Sequence, residues 1–444
     1  MSGFIGILLF VFALLASIAL HELGHLVPAK KFGVKVSQYM VGFGPTIWAK
    51  HRGETQYGIK AIPLGGFIRI LGMFPPRATG TLSEEEIAEL LQKRTWRARM
   101  KALVEQARAD SLQELEGEES RAFYRLTVPK KITVMLGGPI MNLLIAIVLF
   151  TIAQVGIGEP QVSTTVAHVV ACVPTKDNPQ GIVSVDGSCG NGQFTPAYQA
   201  GLQAGDRILG IGGQSLTSWA ELSPAIVNKA GQSVMLDYVR AGEPRNINVT
   251  IVQWDRPIYD AQGKDTGKTK SVGFLGVEPK TELQPVSIRS MPSFIWEQVS
   301  MTARALISFP AQLIGVSDSL WTSAPRQPDG PVSIVGISQV SGDIASSSNV
   351  TLAEKSLLFL QVFASLNLFL FVFNLVPILP LDGGHVAGAI YEGLRNAVAR
   401  VRRKPKPAPV DTARMLPVAY FVTAFLIVMS ITVMLADIFK PVSF

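Results

Sequence analysis

Two histidines flank a glutamate in the stretch His21-Glu22-Leu23-Gly24-His25. Residues four apart on a helix lie on the same face, so both imidazoles can bind one zinc ion. Zinc lowers the pKa of a water that it binds, and Glu22 can take the released proton and later deliver it to a leaving amine. The motif therefore predicts metal-dependent hydrolysis.

The setting of this motif strengthens the prediction. The preceding residues, 3–20, are all apolar or small. Ionisable side chains in a membrane-spanning segment are costly, so their presence there indicates a functional site by default. We expect a metal site within a transmembrane helix, in preference to a chance match.

A tetrahedral zinc ion with two histidines and a water needs one more protein ligand. The extended motif H-E-x-x-H-x-x-G-x-x-H is excluded, because Pro28 and Lys31 stand where glycine and histidine are required. Asp382 is the better donor, because prolines and glycines break the apolar segment around it, and broken helices at membrane depth are tolerated where they line a cavity. We expect His385 to support the site without ligating the metal.

Asn374 begins the same break and has two possible roles. Its amide could donate a hydrogen bond to the oxyanion that forms when water attacks a peptide carbonyl. It could equally make a hydrogen bond between two helices. The sequence leaves both roles open.

The composition indicates a membrane protein. Of 444 residues, 48% are hydrophobic and only 16% are charged. The net charge is +7, but no basic stripe with interleaved aromatics occurs, so nucleic-acid binding is not expected.

Four apolar segments, 3–27, 132–156, 356–376 and 415–437, are long enough to cross a bilayer as helices. The first lacks a basic leader and a small-residue cleavage site, so we expect it to be retained. Residues 30–131 carry 18 Lys/Arg against 11 Asp/Glu, and residues 392–414 carry seven against two, which favours the cytoplasm for both. Residues 157–355 carry 14 against 17 and should lie outside. Both termini are then extracytoplasmic.

The loops have structure of their own. In residues 54–72, apolar and polar side chains alternate and glycines interrupt the pattern, as in short strands joined by glycines. This predicts a small cytoplasmic sheet near the membrane. Residues 83–123 predict one or two surface helices with a solvated face. Residues 293–322 carry scattered large apolar side chains, which fit either amphipathic helices on the membrane surface or core packing of the outer domain.

The outer region contains Ala-Gly-Leu-Gln-Ala-Gly-Asp206-Arg-Ile followed by strand-like runs. This resembles a PDZ domain of the bacterial type more closely than other small β-rich domains. Such a fold offers a sheet edge and a helix groove to an extended peptide. Cys172 and Cys189 both lie here, and an oxidising compartment would permit a disulfide, but the sequence does not decide whether they pair.

These observations give a membrane α-helical fold class: four transmembrane helices, a small membrane-associated cytoplasmic β region and an extracytoplasmic, β-rich α+β PDZ domain. The predicted boundaries are 1–30 for helix 1 with the zinc motif, 31–131 for the cytoplasmic loop, 132–156 for helix 2, 157–282 for the PDZ domain, 283–350 for an amphipathic linker, 351–391 for helix 3 with the Asn-Pro and Leu-Asp-Gly motifs, 392–414 for a basic cytoplasmic loop and 415–437 for helix 4.

Over nearly its whole length the chain resembles the bacterial site-2 protease family of intramembrane zinc proteases, in particular its anti-sigma-factor-cleaving, RseP-like branch. The motifs that carry the resemblance are His21-Glu22-x-x-His25, Asn374-x-x-Pro377, Leu381-Asp382-Gly383, Val41-Gly-Phe-Gly44-Pro, Pro63-Leu-Gly-Gly66 and Gly138-Pro-x-x-Asn142, with a PDZ insert between them.

The resemblance implies Zn²⁺ bound by His21, His25 and Asp382, with Glu22 as the general base. It also implies a substrate-binding strand near 65–70. The substrate-binding residues expected from it are Gly65, Gly66, Phe67, Ile68 and Pro377.

The implied substrates are single-pass membrane proteins such as anti-sigma factors, and also signal-peptide remnants, cleaved after a first cut by a site-1-type protease. The implied location is the bacterial cytoplasmic membrane, where the lipid bilayer is a further partner. Only one PDZ domain is evident and the cytoplasmic loop is enlarged, which fits an actinobacterial-type member better than the best-known two-PDZ branch.

Two other functions compete with this one. A catalytically silent PDZ scaffold would be expected to lack Glu22 or Asp382, and both are present. A transporter with a regulatory metal is disfavoured, because four spans without inverted repeats do not resemble transporter folds.

Overall fold

The structure is a computed structural model that describes residues 2–76, 82–93, 95–113, 115, 117–175, 178–184, 186–190, 192–259, 265–322, 330–348 and 350–440. The chain divides into two compact units. The first contains Met1–Gly156 and Ser287–Phe444, and the second contains Ile157–Val286. The histidine motif lies in the first unit.

The helices, in chain order, are α1 (Ser2–Lys31), α2 (Glu84–Gln92), α3 (Trp96–Gln113), α4 (Val128–Thr151), α5 (Pro196–Gln199), α6 (Trp219–Val227), α7 (Met291–Trp321), α8 (Ile334–Ser346), α9 (Leu352–Asn374), α10 (Asp382–Val401) and α11 (Leu416–Phe439). The strands are β1 (Val36–Arg52), β2 (Thr55–Ile70), β3 (Glu159–Val169), β4 (Arg207–Ile211), β5 (Gln214–Ser215), β6 (Ser233–Arg240), β7 (Glu243–Thr250), β8 (Val252–Tyr259), β9 (Asp265–Phe274) and β10 (Val277–Gln284).

Five helices among the described residues are long and apolar enough to cross a membrane, which indicates a multi-pass membrane protein. They cover Gly3–Lys31, Val128–Ile157, Ile288–Trp321, Leu352–Asn374 and Thr412–Phe439. Four of them overlap the predicted spans. The other contains α7, because the scattered apolar residues of 293–322 form one continuous helix of 31 residues. Length and composition therefore admit a fifth candidate beyond the four predicted spans.

Helices α1 and α4 pack antiparallel at very short range. Gly24 of α1 faces Gly137 of α4, and a Cβ on either glycine would collide with the backbone of the other helix. Close approach of this kind needs small residues at the helix interface, as in other membrane bundles. It brings the face of α1 that carries both histidines against α4.

The small sheet is larger than predicted. β1 begins at Val36, well before the expected range, and pairs antiparallel with β2. Residues 36–41 pair both with 66–70 and with 56–59, so they form the centre of the sheet. β1 bends at Gly42, which has a φ of +94° that glycine adopts without strain.

The insert at 83–123 is helical, but α3 also buries a charged side chain. This corrects the prediction that the insert presents only a solvated face. Arg108 of α3 is 1% exposed and donates to both carboxylate oxygens of Asp411, at 3.0 and 2.8 Å. The sequence pattern of α3 looked like a surface helix because the partner of its buried Arg108 lies 303 positions away.

The third apolar segment is broken, as its prolines and glycines suggested. α9 ends at Asn374, a turn covers 375–381, and α10 begins at Asp382. α10 then continues to Val401, so the first ten residues of the region predicted as a basic loop are helical. Their charges had suggested a loop, but they lie on an amphipathic helix.

The second unit has its own apolar core, which includes Ile208, Leu222 and Leu236. Its main sheet has the order β10-β3-β4-β6-β7, with β5 paired to β4, and β8 pairs with β9 in a separate hairpin. Cys172 and Cys189 are joined by a disulfide. Buried Asp206 accepts hydrogen bonds from Arg240, at 2.7 Å to each oxygen.

Candidate metal centre

α1 presents His21 and His25 one helical turn apart. His25 is 4% exposed, and its Nδ1 lies 2.8 Å from the carbonyl oxygen of Val134 on α4. A carbonyl oxygen only accepts hydrogen bonds, so Nδ1 carries the proton and donates it. The other nitrogen, Nε2, is thereby left with a free lone pair for a metal.

Asp382, the first residue of α10, completes a group of three. Its Oδ2 lies 3.4 Å from Nε2 of His21 and 3.3 Å from Nε2 of His25. The two Nε2 atoms lie 3.3 Å apart. Among the residues that the structure describes, no other three His, Cys, Asp or Glu side chains bring ligand atoms together in this way.

The three distances fit zinc. Ligand atoms about 2.0–2.1 Å from a tetrahedral ion lie roughly 3.3 Å from one another. In addition, Oδ2 of Asp382 is a buried oxygen without a hydrogen-bond partner. A buried carboxylate oxygen needs a proton donor or a cation, and the donor set of two imidazoles and a carboxylate is one that zinc prefers.

Gly138 of α4 leaves space beside these atoms. A Cβ at this position would collide with Nε2 of His25 and would lie 2.7 Å from Nε2 of His21. Any larger residue would therefore fill the space next to the two ligand nitrogens.

Asn142 contacts the site from the next turn of α4. It is fully buried, and its Nδ2 lies 3.1 Å from Nδ1 of His21, whereas its Oδ1 has no partner. In the sequence, Asn142 stands out only as part of the family pattern Gly138-Pro-x-x-Asn142. Its spacing of four from Gly138, which places both on one helix face, was the signal that could have assigned it to the site.

Glu22, which lies between His21 and His25 in sequence, also lies against the sheet. A Cβ on Gly66 of β2 would lie 3.2 Å from Cγ of Glu22, and the carboxylate is within hydrogen-bonding reach of the Ile68 backbone. The structure thus brings the predicted catalytic glutamate next to the predicted substrate-binding strand. Gly65, Gly66, Phe67 and Ile68 are all half-buried there.

Three other predicted residues lie on the broken segment. Asn374 is the last residue of α9, and its side chain makes no hydrogen bond to any described residue. Pro377 is exposed in the turn before α10, and His385 is half-buried in the first turn of α10. His385 is not part of the three-residue group.

The sequence of the chain matches a known family. The model of peptidase family M50 covers residues 9–416. The chain belongs to peptidase family M50. The predicted site-2 protease resemblance is therefore confirmed.

Several curated relatives span nearly the whole chain. The zinc metalloprotease Rip1 of Mycobacterium bovis is 32% identical over 98% of both chains. Rip1 of Mycolicibacterium smegmatis is 31% identical over 99% of this chain and 98% of its own. The zinc metalloprotease RasP of Shouchella clausii is 25% identical over 84% of this chain and 87% of its own.

Among solved structures, the PDZ domain of an SdrC-like protein from Listeria monocytogenes matches 27% of this chain and 93% of its own, with 19% identity. The TM-score is 0.15, too low to establish a shared fold.

Proposed function

We propose that this zinc metalloprotease of family M50 cleaves membrane-spanning proteins within the bilayer, with His21, His25 and Asp382 as the zinc ligands. The observation that carries the ligand assignment is the spacing of the three ligand atoms, 3.3–3.4 Å, which matches a tetrahedral site. Zinc held there supplies Lewis-acid chemistry, since it polarises a peptide carbonyl and acidifies water.

Glu22 acts as the general base in this proposal. It lies next to His21 on α1 and faces the Ile68 backbone. From this position its carboxylate takes a proton from the attacking water and returns it to the leaving amine. Asn374 is retained as a candidate donor to the oxyanion, because no described residue occupies its amide.

Residues 66–70 of β2 are proposed to hold the substrate extended. They pair with 36–41 on one side, and no described strand pairs with their other edge. A helical substrate shields its carbonyls, so it must unwind before water can attack. A free strand edge beside Glu22 offers replacement hydrogen bonds to the unwound backbone.

Four membrane crossings are proposed, with both termini outside the cytoplasm. Ring contacts join Phe10 to Phe363, and a hydrogen bond of 3.0 Å joins Asn367 to Ser17. α1 and α9 therefore run parallel and start on the same side, which requires an even number of crossings from the start of α1 to the start of α9. Helices α1 and α4 supply two. A full crossing by α7 would need a return crossing, and α8, with 13 residues, is too short for one.

The second unit is proposed to be an extracytoplasmic PDZ-like domain that examines substrates. Its strand β10 lies at the edge of the sheet, and a cavity lies between α6 and residues 272–277. Trp219, Ser223 and Val227 line the cavity from α6. An edge strand beside a helix groove accepts an extended peptide by strand addition.

The substrates are proposed to be single-pass proteins, such as anti-sigma factors or signal-peptide remnants, that a first protease has already trimmed. The support is the family itself together with the enclosed position of the metal centre. We place the enzyme in the bacterial cytoplasmic membrane. No observation favours the scaffold alternative, because Glu22 and the three ligand residues are all present and assembled.

The experiment compares two tagged single-span substrates that differ only in the span, one of leucine and alanine and one with a central Gly-Pro pair. The purified protein is first analysed for bound zinc. We expect about one zinc per chain and faster cleavage of the Gly-Pro substrate, because its helix unwinds more easily. A zinc-free protein, or equal turnover of both substrates, would count against the proposal.

A further inference from the structure

α10 carries an apolar stripe that no described residue covers. The stripe consists of Ile390, Tyr391, Leu394, Val398 and Val401, which are 49%, 58%, 62%, 50% and 83% exposed. Their spacing places them within an arc of about 120° on one side of the helix. The opposite side is buried and includes Ala389, Glu392 and Ala399.

The second half of the stripe lies beyond the start of the neighbouring helix. Gly393 faces Val128, the first residue of α4, and Glu392 pairs with Lys131 in the first turn of α4 at 2.8 Å. Residues 394–401 therefore extend past the point where α4 begins with charged residues. An apolar stripe at that level lies in the membrane interface and not in the hydrocarbon core.

Exposed cations lie at the end of the stripe and directly after it. They are Arg400, Arg402, Arg403, Lys404 and Lys406. In the part of the chain that the structure describes, no carboxylate pairs with any of them. The two acidic groups of this region, Glu392 and Asp411, are engaged with Lys131, Arg108 and Arg414.

We propose that α10 and residues 402–406 form a binding surface for anionic phospholipids of the bilayer. The stripe inserts among the acyl chains at the interface, and the cations contact the phosphate headgroups. Long cationic side chains beside an apolar face reach the headgroups while their stems stay in the apolar layer. Because α10 begins at Asp382, lipid contacts also hold the helix that presents this residue to the metal centre.

The test uses the full-length protein in vesicles of phosphatidylcholine with or without phosphatidylglycerol. The chain has two cysteines, both in the disulfide, so a cysteine introduced by Val401→Cys can be labelled selectively. Energy transfer from this label to a labelled phosphatidylglycerol is compared with transfer to an equally labelled phosphatidylcholine. We expect a several-fold preference for phosphatidylglycerol.

The decisive variant carries Arg402→Gln, Arg403→Gln, Lys404→Gln and Lys406→Gln, and should show equal transfer to both lipids. The matched control neutralises four cations of the second unit, Lys229→Gln, Arg256→Gln, Lys270→Gln and Lys280→Gln, and should keep the preference. A preference unchanged in the first variant overturns the proposal. So does a preference that inorganic phosphate abolishes at constant ionic strength, because the site would then bind free phosphate.

Discussion

Asn142 provides a sharp test of how the metal centre is held. When Nε2 of His21 binds zinc, its Nδ1 carries the proton and must donate. Among the residues that the structure describes, the hydrogen-bond partner of this Nδ1 is the Asn142 amide, at 3.1 Å, which must then present its oxygen by rotating about its terminal bond. Asn142→Leu removes this acceptor at nearly constant size, whereas Asn142→Asp keeps acceptors on both branches.

The expected magnitude follows from burial. Asn142 is fully buried, so water cannot replace the lost acceptor. An unsatisfied buried donor costs about 1–3 kcal/mol, and mutation of partners of zinc-binding histidines lowers metal affinity by roughly 10- to 100-fold. We expect a decrease in that range for Asn142→Leu and no decrease for Asn142→Asp, because a carboxylate accepts from an imidazole N–H even more strongly.

The assay is competition for zinc between the purified variants and a chelator of known affinity. Asn367→Leu is the matched control, because Asn367 is also fully buried in the bundle but bonds to Ser17 and does not contact the ligands. It should lower thermal stability without changing zinc affinity. Zinc affinity that is unchanged in Asn142→Leu, or lost equally in the leucine and aspartate variants, would refute the reasoning.

Three further predictions concern other parts of the molecule. Gly138→Ala should abolish zinc retention, because the added methyl group would collide with Nε2 of both His21 and His25. Zinc analysis of the purified variant checks this prediction, and full zinc occupancy would disprove it. Lys131→Met should lower the free energy of unfolding by about 3–5 kcal/mol, because it leaves the buried carboxylate of Glu392 without its ion-pair partner. Adding Glu392→Met should restore much of the loss. Denaturation of the wild type, the single variant and the double variant measures these free energies. Burial raises the pKa of Asp206, but hydrogen bonds from Arg240 and a backbone N–H outweigh it and hold the pKa below its ordinary value. A carboxyl group whose pKa is lower in the folded than in the unfolded chain stabilises the fold at pH values above its pKa in the unfolded chain, and this stabilisation is lost as the pH falls. The isolated 157–286 unit should therefore lose stability below about pH 4, and Asp206→Asn should make its stability depend less on pH.

That His21, His25 and Asp382 lie together could be expected from the sequence, because each of the three proposed ligands has a local signature. The histidines have helical spacing, and Asp382 stands at a break that only a lined cavity tolerates. The signature of Asn142 is weaker, a spacing of four from Gly138, since an isolated asparagine in an apolar helix most often bonds to a neighbouring helix. Only the crossing of α1 and α4 at Gly24 and Gly137 turns it toward His21.

The misjudged elements depend on contacts that are distant in sequence. The buried Arg108 of α3 looked like a surface residue because its partner Asp411 is remote. The first strand of the sheet, starting at Val36, was missed because its pairing with 66–70 bends at Gly42, which interrupts the alternation expected of a strand. The sequence left residues 293–322 open between amphipathic helices on the membrane surface and core packing of the outer domain, and the structure forms one long helix, α7, there.

The central claim is that Glu22 is the base of a zinc peptidase assembled by α1 and α10. The most direct measurement is cleavage of a trimmed single-span substrate by purified wild type and Glu22→Gln, each with its bound zinc determined. The account predicts equal zinc in both proteins and cleavage by the wild type alone. Cleavage by Glu22→Gln at the wild-type rate would contradict it, and so would an inert wild type that carries zinc.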